Sequence, residues 1–107
     1  CVEGTQGWKL NPEIQAAAEA VSATFINKPT FGSLDLPRVI AQTCLEPEEI
    51  HMVGICTDIC VISNAMILKA AFSEAPLKVH GKLCAGVTPA QHDNALAAMT
   101  PCQVEVI

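Results

Sequence analysis

The strongest constraint on the fold comes from residues 50 to 72, where a short apolar run meets a polar turn and continues in a helical rhythm. Ile50, Met52, Val53 and Ile55 form a run interrupted by Gly54 and stopped at Thr57, the pattern of a buried parallel strand. From Asp58 onward Ile59, Ile62 and Met66, flanked by Val61, Ala65, Leu68 and Phe72, repeat at three and four. Thr57 or Asp58 stands where an N-cap belongs. A strand feeding a helix through so short a turn places Cys60 in the helix's first turn.

A thiol in that position meets backbone N–H groups without intrahelical partners and the positive end of the helix dipole. Both favour the anionic, nucleophilic form of sulfur. The same N–H groups can face an oxyanion as it forms, so nucleophile and electrostatic stabiliser come from one piece of backbone. The competing reading is an inert buried cysteine, since free Cys is among the most buried residue types.

The remaining chain falls into alternating elements. Residues 1 to 10 read as loop, with Trp8 a packing plug in preference to a ligand contact. Asn11-Pro12-Glu13 supplies an N-cap and a first-turn proline for a helix through Ala20. Thr24 to Lys28 reads as a strand that Pro29 ends by removing a donor, so Lys28 sits at its carboxyl end. Open parallel sheets gather ligands at that rim, and the Cys60 turn also follows a carboxyl end. Lys28 is there either a solvated terminus or a partner for the thiol.

Thr30 to Ser33 form a turn in which Phe31 packs by default or stacks on a substrate ring. Ser33 or Asp35 is the expected cap of a helix from about Leu36 to Cys44. Leu77 to His80 with Leu83 predicts a strand, Thr88-Pro89 the cap and first turn of a helix through Met99, and Gln103 to Ile107 a last strand. The order β-α-β-α-β-α-β implies right-handed crossovers and a parallel sheet with helices around it.

With 107 residues there is one domain at most, and an open sheet with helices on both faces normally needs more chain. On length alone the stretch falls short of such a fold. Half its residues are hydrophobic and four are aromatic (three Phe, one Trp), a balance that excludes disorder. A net charge of −5 with only six scattered Lys and Arg excludes a basic stripe, so no nucleic acid is expected as a partner. A membrane is excluded too, because the longest apolar region carries Asp58, Asn64 and Lys69. The six Cys lie in or near apolar elements and not in a loop-rich framework, which favours a reducing cytoplasm over disulfides. Cys56, Cys60, His80 and Cys84 superficially resemble zinc ligands, but donors on a buried strand end and a helix fit a structural zinc site poorly. His51, His80 and His92 each read as satisfied or exposed side chains.

Gly54-Ile55-Cys56-Thr57-Asp58-Ile59-Cys60-Val61 resembles the nucleophile motif of the isochorismatase-like cysteine hydrolases, which include the nicotinamidase and pyrazinamidase amidases. Cys1 to Thr5, Lys28 to Ser33, and Cys84 to Pro89 with His92 resemble three further segments of that superfamily, in the same order. The resemblance implies a three-layer α/β/α, Rossmann-like fold with the first strands upstream of Cys1, so residues 1–107 are the carboxyl-terminal portion of one domain. It implies the family's strand order 3-2-1-4-5-6, which leaves the Thr24–Lys28 strand apart from the others, so these residues are not expected to fold stably alone. It implies Cys60 as nucleophile, Lys28 as the thiolate's electrostatic partner, and backbone N–H groups of Cys56 and Cys60 as the oxyanion hole. It also implies a cis peptide at Ile55–Cys56. The family's general base, an Asp, lies upstream, and Asp58 is better read as a cap or hydrogen-bond acceptor. The resemblance further implies a divalent metal such as zinc on upstream Asp and His residues, with no cofactor held by this chain. The expected function is hydrolysis of a small-molecule amide or related C–N bond through a Cys60 thioester, by a homo-oligomer. The alternative is a non-catalytic binding or scaffold module that retains the fold.

Overall fold

The computed structural model describes residues 1–107. Its centre is a parallel sheet of three strands in the order β1 (Ile50–Ile55), β2 (Leu77–Ala85), β3 (Val104–Val106). Each crossover contains one helix, α3 (Ile62–Ala71) between β1 and β2 and α4 (Pro89–Met99) between β2 and β3. Two earlier helices, α1 (Pro12–Ala20) and α2 (Asp35–Thr43), precede the sheet. The architecture is thus α/β with a parallel sheet, and no helix is long and apolar enough to cross a membrane.

The core forms where α3 and α4 meet one face of the sheet. Leu77 and Val79, two residues apart in β2, point to that face and cluster with Val61, Ala65 and Leu68, Met99 and Val104. Val79, Ala65 and Met99 are fully enclosed. Removing such a side chain's bulk, as in Leu77→Ala, costs about 2–5 kcal/mol in a well-packed core. α2 joins through α3, with Leu36 and Ile40 against the cluster. This chain therefore contributes one helical layer, and the opposite face, bearing His51, Val53, Ile55, Lys78 and His80, is open.

That asymmetry corrects the expectation of a buried β1. Its residues alternate, with Ile50, Met52 and Gly54 half-buried while Val53 and Ile55 are 57% and 72% exposed. An apolar run marks both faces as water-averse, but only one has a cover here, and β1 is an edge strand. β2 is longer than expected because it carries an irregularity. Met52 pairs with Val79 but Gly54 with Cys84, so extra residues of β2 loop out before the strand resumes beside Ile55.

The amino-terminal third departs furthest from the sequence reading. α1 begins as expected, Asn11 Oδ1 accepting the Glu13 N–H at 2.9 Å ahead of Pro12, yet it buries no residue. Trp8 lies in a short 3-10 turn, Gln6–Trp8, and is 37% exposed, so it plugs no core. Residues 24–28 are not a strand, since none of the three strands pairs with them. The helix expected from Leu36 starts at Asp35 with Leu34 at its N-cap and no side-chain cap; Asp35 instead pairs with Arg38 at 3.0 Å.

Candidate active site

The carboxyl end of β1 delivers the chain into the turn that holds Cys60. The Ile55–Cys56 peptide is cis, and the Cys56 N–H donates to no group within the chain. Residues Thr57–Val61 then form a single π-helical turn before α3 takes over. The Cys56 carbonyl accepts the N–H groups of Ile59 (3.1 Å) and Val61 (3.0 Å) and passes over that of Cys60. Such wide turns recur at functional sites because they free one backbone group from the ladder. Neither Thr57 nor Asp58 acts as the expected cap, for no side chain caps this turn. Both are engaged across the site: Asp58 Oδ1 accepts the Val87 N–H at 3.1 Å, and Thr57 Oγ1, fully buried, lies 2.8 Å from His92 Nδ1.

Lys28 reaches the same turn from a segment distant in sequence. Its Nζ lies 3.3 Å from Cys60 Sγ and donates at 3.2 Å to the carbonyl of Thr30. The ammonium is thus at hydrogen-bond distance from a half-buried sulfur. Phe31 does not take its default role: the residue is 66% exposed, while its carbonyl accepts from Asn64 Nδ2 at 3.3 Å. No three His, Cys, Asp or Glu side chains are grouped so as to hold a metal ion. His80, one of the four superficial candidates, has its Nε2 2.7 Å from His51 Nδ1 instead. A cavity of about 530 Å³ lies elsewhere, between residues 45–48 and residues 71–75 at and beyond the end of α3, and neither Cys60 nor Lys28 lines it.

The isochorismatase domain family matches the chain over residues 1–107. The chain belongs to the isochorismatase family. Among solved structures, its fold is similar to the nicotinamidase of Staphylococcus aureus, with TM-score 0.83 and 23% identity over 98% of this chain and 68% of that one. It is similar to the nicotinamidase/pyrazinamidase of Bacillus subtilis, with TM-score 0.81 and 22% identity over 97% and 59%. The yeast nicotinamidase gives TM-score 0.87 and 14% identity over 100% and 56%. This isochorismatase-family chain therefore spans between about half and two thirds of the length of those proteins. No curated protein matches it by sequence.

Two features of this isochorismatase-family site escaped sequence reading. Asn64, four residues past Cys60 and buried, returns a hydrogen bond to the Cys60 carbonyl at 2.9 Å; a polar residue one turn behind a candidate nucleophile was the available signal. His92, to which no role was given, secures the start of α4 to Thr57. Gly86 permits that approach, because a Cβ there would stand 2.8 Å from the His92 backbone nitrogen.

Proposed function

We propose that this chain is the carboxyl-terminal portion of one isochorismatase-like hydrolase domain, and that the domain is a cysteine hydrolase of small amides. The observation that carries the reading is the 3.3 Å approach of Lys28 Nζ to Cys60 Sγ at the carboxyl end of β1. Supporting it, structural relatives of the same fold are nicotinamidases.

In this reading Cys60 sulfur, as thiolate beside the Lys28 ammonium, attacks the carbonyl carbon of the bound amide, and the C–O π pair moves onto oxygen. The resulting oxyanion is met by the N–H groups of Cys56 and Cys60, the first of which has no partner in the chain. Collapse re-forms the carbonyl and expels the nitrogen as ammonia once a general acid has protonated it, leaving a thioester on Cys60. A water, deprotonated by the same group acting as base, then attacks the thioester and releases a carboxylic acid and the thiolate. We assign that acid–base role to a carboxylate upstream of Cys1, because no Asp or Glu of this chain bonds to Cys60 or Lys28. The exposed ring of Phe31 is a surface on which a flat substrate can stack.

The test is intact-mass spectrometry of the full-length protein mixed with an aromatic amide such as nicotinamide. The expected result is an acyl adduct on Cys60 and loss of both adduct and turnover in Cys60→Ala. Turnover undiminished in Cys60→Ala would remove the reading and leave a binding module that keeps the fold.

A further inference from the structure

We infer that Asn64 is a positioning residue that holds the Lys28 segment against the nucleophile. This inference rests on the cysteine-hydrolase reading above.

Residues 24–34 have no place in the sheet, so their attachment to the molecule must come from elsewhere. Their hydrogen bonds to distant residues are the Lys28–Cys60 contact itself, Ser33 N–H to Asn64 Oδ1 at 2.8 Å, and Asn64 Nδ2 to the Phe31 carbonyl at 3.3 Å. Two of these three belong to one amide. The same Nδ2 donates to the Cys60 carbonyl at 2.9 Å. A single side chain thus joins the backbone of the nucleophile to the loop that follows Lys28. That loop also supplies the Thr30 carbonyl, which fixes the ammonium from its other side.

The joint is enclosed. Asn64 and Ser33 are 9% and 8% exposed, so their hydrogen bonds are poorly contested by water. The loop lies directly on α3: a Cβ on Gly32 would come 2.6 Å from Ile67 Cδ1 and 3.4 Å from Ser63 Cβ. Only glycine lets the backbone settle there without displacing Ile67. Amide chemistry is required, since the position must accept one N–H and donate to two carbonyls at once. A hydroxyl is too short to span them, and a carboxylate has no donor.

The experiment measures the rate of Cys60 alkylation by iodoacetamide against pH, resolved by peptide mass spectrometry, in the full-length protein and in Lys28→Met, Asn64→Leu and Asn64→Ser. Asn64→Ser keeps a hydroxyl able to bond back to the Cys60 carbonyl, preserving the helix while releasing the loop. The expected result is that both Asn64 variants, like Lys28→Met, are alkylated roughly threefold to tenfold more slowly at neutral pH, with the rise in rate moved to higher pH. Their kcat for the amide falls while KM stays within about twofold. Should Lys28→Met shift the profile while Asn64→Ser follows the unsubstituted protein, the positioning role is overturned and the hydrolase reading survives. Should Lys28→Met leave the profile in place, the pairing of Lys28 with the thiolate fails, and this inference fails with it.

Discussion

Glu49 shows how much of the local electrostatics is set by neighbours on the open face of the sheet. Its carboxylate takes Lys78 Nζ at 2.6 Å and His51 Nε2 at 3.0 Å. The hydrogen bond from Lys78, and then that from His51, hold the Glu49 carboxyl below the usual carboxylate range, while Glu49 holds the Lys78 ammonium above its own. Stability from Glu49 is therefore present above the ordinary carboxylate range and lost as pH falls through the lowered value. Stability from Lys78 is present below the ordinary ammonium range and lost as pH rises through the raised one. Both side chains are partly open to water, so the pair contributes little. We expect Glu49→Gln in the full-length protein to lower Tm slightly at neutral pH, with the difference shrinking as pH falls through the lowered Glu49 value. A Tm gap that persisted in acid would assign the effect to packing. The Lys28–Cys60 approach was legible in advance only through the family likeness, because the two lie 32 residues apart and the strand that was to bring Lys28 to the sheet's rim is absent. Asn64 was not legible: a lone asparagine on an apolar helix carries no mark of which backbone groups will need it.

Among the elements, the two helices whose starts pair a capping side chain with a proline were read correctly, whereas the caps expected for α2 and for the Cys60 turn are not made. Asn11-Pro12 and Thr88-Pro89 each pair a side-chain acceptor with a residue that needs no donor, and both start helices as expected. The Thr88 Oγ1 bond to the Gln91 N–H, at 3.2 Å, fixes the start of α4 and with it the position of His92 against Thr57. Thr88→Ala in the full-length protein should cost about 1 kcal/mol by urea denaturation, and it should also slow turnover by loosening the turn that holds Cys60. A loss of stability with kcat untouched would separate α4's cap from the site. Elements defined by pairing were read less well. Residues 24–28 have strand composition but no strand to lie beside, and β1's apolar run did not say which of its faces this chain would cover. Propensity belongs to a residue, whereas a ladder and a buried face belong to two partners.

At the scale of the molecule, the chain is loosely assembled. Only 13 of 107 residues are buried, and the radius of gyration is 14.0 Å, where about 13 Å is usual for a compact domain of that length. The excess lies in residues 1–34, of which Ser33 alone is buried. The seven-residue core cluster is small against the conformational entropy of ordering the whole chain. We expect the 107 residues, prepared alone, to give no cooperative calorimetric transition as a monomer. A sharp reversible transition at low concentration would refute this.

β1 has a second consequence through its outer edge, where no strand lies alongside, while two bulky aliphatic groups on its open face stand in water. Such a margin is a template, and another copy's margin fits it as readily as any native neighbour. Synthesised by itself, this stretch should therefore be lost to insoluble assemblies before its chemistry could be assayed, so solubility is the first quantity a laboratory would have to secure.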